Sequence, residues 1–444
     1  MSRSKTVLKR AAACVLACLT AGASGGCSAA INVDQLLTPP KLSAQQEQIY
    51  QALKDTTGSD IRLKYPKRGA YLSAFILADL DGDNAEEAIA FYENNSSSLT
   101  DPGLRINVLD SIDGQWQSIC DRSAEGTEIE KVIISPLGAS DRVNVIVGYS
   151  TANQSEKSLC VYSYSDDYLD QKFSHSYALF DVADTGSGNA NPDLIVLGAD
   201  SSSEQASAAV YRLEADDRYH EYKYSFTDDY TDYNQLIYGR NAQGDVMLYV
   251  DAATGTANLQ TEILCMEETR LSNMLERCGR KAESTVRRAG LASADIDNDG
   301  TPEIPVQTVF RGYEAAAESE QMRQTRWLRM REPDVYTEYY SYYSTGGGYA
   351  FLLPEDWTDR VTVRNDTASG ELQFVEYSGE WTDDLPVLLR IYISYDEEDT
   401  AEHLADGFSL LHTKGTASYL VRAEQEQTLS RTLGTLLPCF RFLN

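Results

Sequence analysis

From about residue 60 the chain is written as short apolar runs, each closed by a cluster of Asp, Asn, Gly or Ser. Runs that short suit strands, and the polar clusters between them suit turns. The expected strands are Tyr71–Ala78, Glu87–Tyr92, Arg105–Leu109, Val132–Ser135, Val143–Tyr149, Ser158–Tyr164, Asp193–Gly198, Ala208–Leu213, Val246–Val250 and Thr261–Met266. Leu291–Ala294, Ile304–Val309 and Trp327–Met330 follow. This pattern commits the middle of the chain to an all-β architecture.

Two of the turns repeat each other. Asp79-Leu80-Asp81-Gly82-Asp83-Asn84-Ala85-Glu86-Glu87 is matched by Asp295-Ile296-Asp297-Asn298-Asp299-Gly300-Thr301-Pro302-Glu303. Each lies between apolar runs, so each reads as strand, acidic loop, strand. Weaker echoes start near 138 (Leu137 to Asp141), 181 (Phe180 to Asp184) and 241 (Asn241 to Asp245). Five repeats spaced by roughly 54 residues match the length of a four-stranded propeller blade. The paired loops resemble the FG-GAP/VCBS repeats of integrin-alpha-like propellers, and the run from Leu63 to Glu87 is similar to bacterial lipoproteins that carry them. The resemblance covers about residues 60–345 and implies a β-propeller of five blades, with six or seven as alternatives.

The acidic loops carry the chemistry. Asp79, Asp81, Asp83 and Glu87 occupy positions 1, 3, 5 and 9, as do Asp295, Asp297, Asp299 and Glu303. Carboxylates on alternate residues of a tight turn converge hard oxygens, and Ca2+ takes six to eight of these. The carbonyls of Ala85 and Thr301 are the expected backbone ligands. Gly300 and Asn84 stand at position 6, where the chain must turn sharply. Helical calcium loops need an acid at position 12, but Ala90 and Val306 stand there. The competing reading is a pair of acidic turns without metal. The loops around Asp141, and around Asp181, Asp184 and Asp193, lack the set and are expected to fold without metal. His175, His220, His403 and His412 form no metal-type pair. No Gly-Lys-Ser/Thr loop or Gly-x-Ser-x-Gly elbow is present.

Arg3, Lys5, Lys9 and Arg10 precede the short apolar run Ala11 to Ala21, the layout of an export signal. That run is too short to span a bilayer. Ser24-Gly25-Gly26-Cys27 resembles a bacterial lipobox, with Ser24 where Leu is usual, and implies a diacylglyceryl group on Cys27. The alternative is simple secretion after Ala21-Gly22-Ala23. Residues 1–26 are then the leader, 27–42 a tether with Pro39-Pro40, 43–58 an amphipathic helix opened by Ser43 and Gln46, and 59–345 the propeller. The chain carries 68 acidic against 38 basic residues, a net −30. Losing the four basic residues of the leader makes it −34. Such a surplus argues against gripping nucleic acid or anionic lipid through basic patches. Cys120, Cys160, Cys265, Cys278 and Cys439 remain, with no CxxC pair; Cys265 and Cys278 are either bridged or free.

Residues 346–444 read as a small α+β C-terminal domain behind a Gly346-Gly347-Gly348 hinge. Its expected elements are strands 372–377, 387–395 and 417–423, with a helix at 400–411. The Tyr run from Tyr336 to Tyr343 suits either sugar stacking or the closing strands of the propeller. The expected function is a non-enzymatic, calcium-stabilised binding or scaffold protein, anchored at the outer face of the bacterial cytoplasmic membrane and holding a protein or glycan partner. The alternative is an enzyme acting on cell-surface polysaccharide through paired carboxylates.

Overall fold

Residues 61–352 form five antiparallel sheets in succession, each a meander of neighbouring strands. The computed structural model describes residues 42–94, 103–151, 157–186, 188–199, 205–382, 384–425 and 427–443. The expected leader, Cys27 and most of the tether lie outside them.

Helix α1, Ala44–Thr57, opens the described chain. The expected capping box is present: Ser43 Oγ accepts from Gln46 N, and Gln46 Oε1 accepts from Ser43 N. Gly58, at φ 89°, ends the helix. Its apolar stripe, Ile49 and Leu53, is fully buried against Phe75, Ala88, Ala90 and Tyr92 of the first sheet. Burial of each such side chain contributes roughly 1.5–3 kcal/mol.

The first sheet combines Ile61–Leu63, Phe75–Ala78, Glu87–Asn94, Leu104–Ile112 and Gln115–Ser123. The second holds Glu128–Leu137, Ser140–Ser150, Lys157–Ser165 and Tyr168–Tyr177. The third holds Leu179–Ala183, Asp193–Ala199, Ala206–Leu213 and Tyr219–Ser225. The fourth is built on Asp232–Arg240, Val246–Thr254, Asn258–Glu267 and Arg270–Asn273. The fifth holds Ile304–Val309, Arg323–Arg331, Asp334–Ser344 and Tyr349–Leu352, and the returning Phe440–Phe442 adds to its edge. The five repeat loops read from the sequence lie before the strands Glu87–Asn94, Ser140–Ser150, Asp193–Ala199, Val246–Thr254 and Ile304–Val309.

Central strands such as Ala206–Leu213 are buried on both faces, so they read as apolar runs. The fourth strands, such as Gln115–Ser123 and Tyr219–Ser225, are half exposed and polar, and no apolar run announces them. The cores follow chain order. One cluster joins the first and second sheets through Ile89, Phe91, Val145 and Tyr162. The next joins the second and third, then the third and fourth, then the fourth and fifth. Among the described residues no core cluster joins the first sheet to the fifth.

Three expected elements differ. Leu291–Ala294 is not a strand: only Ala294 bridges to Glu303, because the Ser293 N–H turns to Asp251 Oδ2. The expected helix at 400–411 is Glu397–Ala405 instead, capped earlier by Asp396 and stopped before Gly407 at φ 90°. Residues 409–414 are a strand. Gly346-Gly347-Gly348 lies in the turn joining the third and fourth strands of the fifth sheet. The tail forms a sixth sheet in the order Val361–Asp366, Glu371–Glu376, Val387–Ser394, Ala417–Ala423, Ser409–Lys414. Phe351 and Tyr349 of the fifth sheet share its core with Trp357, Phe374 and Phe440. Cys120, Cys160, Cys265, Cys278 and Cys439 are all free thiols, so Cys265 and Cys278 do not pair.

Candidate metal centres

Both acidic loops adopt the same backbone course. Positions 4 and 6 have positive φ in each: Gly82 at 87° and Asn84 at 71°, Asn298 at 63° and Gly300 at 89°. Gly and Asn trade places between the loops, and these two types tolerate the left-handed region best. The turn aims backbone N–H groups inward, where they hold both oxygens of Asp79 and of Asp295 and one oxygen of Asp81, Asp83, Asp297 and Asp299. Asp79 accepts from Gly82 N and Asn84 N, Asp81 from Asp83 N, and Asp83 from Ala85 N. In the second loop Asp295 accepts from Asp299 N and Gly300 N, and Asp299 from Thr301 N.

The carboxylates converge. Oxygens of Asp79, Asp81 and Glu87 lie within 4.8 Å of one another, as do those of Asp295, Asp297 and Asp299. Asp83 and Glu303 stand outside these groups of three. Each ninth-position Glu is nonetheless buried beneath its loop, at 1% exposure for Glu87 and 0% for Glu303. Glu87 Oε2 accepts from Leu80 N at 2.7 Å, and Glu303 Oε2 from Ile296 N at 3.1 Å. Glu303 Oε1 is buried and accepts no hydrogen bond. Burial pushes the Glu303 carboxyl up to about 8, against the Ile296 N–H and with the repulsion of Asp297. Burial likewise raises Glu87, helped by Asp81, Asp110 and Asp83. A buried acid beneath converging carboxylates is a donor set suited to a hard cation.

The second loop has a feature that spacing did not reveal. Arg329 Nη2 lies 2.5 Å from Asp299 Oδ2, and Arg329 Nη1 is 3.7 Å from Asp297 and 3.5 Å from Glu303 Oε1. Burial raises the Asp299 carboxyl, but Arg329 and the Thr301 N–H outweigh it, so it titrates below the ordinary range. Tyr339 of the Tyr run donates to Asp297 Oδ2 at 2.8 Å. Tyr340 and Tyr342 pack instead in the core shared with the sixth sheet, while Tyr336 is exposed.

The middle loops are organised differently. Asp141 accepts from Asn191 Nδ2, and Asp184 from Gly186 N. Asp193 is fully buried and paired with Arg212 at 3.1 Å. His403 stacks on Tyr392 with ring centroids 3.9 Å apart, and His412 packs on Phe442.

No known family matches the sequence, and no curated protein does. Among solved structures the chain is similar to the exotype rhamnogalacturonan lyase YesX at 10% identity or less (9%), covering 72% of this chain and 61% of that one, with a TM-score of 0.27. A Penicillium chrysogenum alpha-L-arabinanase complexed with arabinobiose is 10% identical over 81% of this chain and 96% of that one, also at 0.27. At such a TM-score neither likeness bears on function.

Proposed function

We propose that this chain is an exported lipoprotein of the FG-GAP/VCBS type, anchored through Cys27 at the outer face of the cytoplasmic membrane. Its five sheets are the blades of a propeller-like body, and the tail is a small α+β unit. It acts as a non-enzymatic scaffold for a protein or glycan partner, stiffened by Ca2+. The observation that carries the reading is the pair of loops in which backbone N–H groups hold several carboxylates over a buried Glu. Asp79, Asp81, Asp83 and Glu87 would hold one ion, and Asp295, Asp297, Asp299 and Glu303 the other. A bound ion would neutralise the loop and tie its two flanking strands together. This is a stabilising role and leaves the surfaces of the sheets to the partner.

Calcium titration of the chelator-treated protein tests the metal. The melting temperature is expected to rise, and less so when Asp79 and Asp295 are both replaced by Ala. An unchanged melting temperature in the wild type removes calcium from the proposal. Mass spectrometry of the membrane fraction tests the anchor, with a diacyl group expected on Cys27. Partners recovered from intact cells after crosslinking, set against release of sugars from cell-surface polysaccharide, separate scaffold from enzyme.

A further inference from the structure

The first, third and fifth sheets share a register that spacing alone does not display. In each, a buried carboxylate at or just before the start of the strand after the repeat loop pairs with an alanine: Ala78 with Glu87, Ala183 with Asp193, Ala294 with Glu303. Exposure of the three acids is 1%, 0% and 0%. An acid buried that deeply keeps its charge only beside a partner of opposite sign.

The partner stands on the next strand. Leu194 pairs with Tyr211, which sets Asp193 opposite Arg212. Ile304 pairs with Leu328, which sets Glu303 opposite Arg329. Both guanidiniums reach across: Arg212 meets Asp193 at 3.1 Å, and Arg329 spans Glu303, Asp297 and Asp299. In the first sheet Ala88 pairs with Leu109, so the same place opposite Glu87 is held by Asp110. Among the described residues every hydrogen bond to Asp79, Asp81, Asp83, Glu87 and Asp110 comes from a backbone N–H. Among the described residues no guanidinium or ammonium is ion-paired with any of these five carboxylates.

We infer that Arg212 and Arg329 are built-in counter-ions standing where a divalent cation would otherwise act, and that the first sheet alone depends on an external one. The inference rests on the calcium reading above and divides it unequally between two loops of equal spacing. In the third sheet the loop lacks the alternate-residue set of acids and the arginine suffices. In the fifth the loop keeps its acids, but an ion must displace three contacts of Arg329 before it gains theirs. In the first, Asp110 stands where the arginine would, and among the described residues no guanidinium or ammonium has to be displaced.

Titration of the chelator-treated full chain with CaCl2, followed by calorimetry, decides this. About one tight site per chain is expected, lost in Asp79→Ala and retained in Asp295→Ala. Arg329→Gln is expected to strengthen the second loop about tenfold or more and to bring the stoichiometry to about two. Asp110→Arg is expected to abolish the dependence of the melting temperature on calcium. If that variant does not fold, the stoichiometry of Arg329→Gln decides alone. Two sites of equal affinity in the wild type, or no gain in Arg329→Gln, overturn the inference and leave the calcium reading standing. Absence of any binding overturns both.

Discussion

Asp193 and Arg212 show at the scale of single residues what a buried charge demands. Arg212 is closed in by Thr185, which it meets through Nη2 at 3.2 Å, and by the ring of Tyr222, 5.1 Å from the guanidinium carbon. Removing one member leaves the other charged in a dry site, which costs about 3–5 kcal/mol. Arg212→Met is therefore expected to lower unfolding free energy by about that amount in urea. The double variant with Asp193→Leu is expected to recover most of the loss, because an apolar pair has no charge to solvate. A single-variant loss of under ~1 kcal/mol would show that water reaches Asp193. The candidate ligands Asp79 to Glu87 and Asp295 to Glu303 were legible in the sequence because loop ligands are local. Arg329 and Asp110 were not, since each meets its loop only through strand register.

The elements are held by turns as much as by their own pairing. Gly138 lies at the hairpin end of the second sheet with φ 56°, and its N–H donates to Pro192 O. A Cβ there would stand 2.2 Å from Leu213 O, a backbone atom of the third sheet. Neither the backbone sign nor the space admits a side chain. Gly138→Ala is expected to destabilise by more than ~1–3 kcal/mol, read as a lower denaturant midpoint. Gly114→Ala, in the Asp113-Gly114 hairpin, meets nothing within 4 Å and isolates the cost of positive φ alone. Equal losses in the two variants would show that the contact with the third sheet does not matter. Helix α1 was readable because its capping box and apolar stripe are local signals. The polar fourth strands were not, because half their side chains face water and carry no apolar period.

At the scale of the whole molecule the cores link each sheet to its neighbour in the chain, and α1 covers the face of the first sheet turned away from the second. Leu53→Ala opens a cavity between helix and sheet and is expected to cost about 2–5 kcal/mol. Hydrogen exchange is expected to quicken most in the strands 75–78 and 87–94, and least in the sixth sheet. A uniform increase across all six would mean that the molecule unfolds as one unit. By itself the sequence determined the all-β class, the places of the five repeat loops, the helix that opens the described chain and the two acidic loops. Each of these rests on residues within about a dozen positions of one another, where spacing and chirality act directly. The tertiary structure decided which buried acid meets an arginine and which meets another acid. It also set the return of Phe440–Phe442 to the fifth sheet and the swapped order of the last two strands of the sixth. Those depend on register between segments far apart in the chain, and a one-residue slip in that register would carry every side chain to the opposite face.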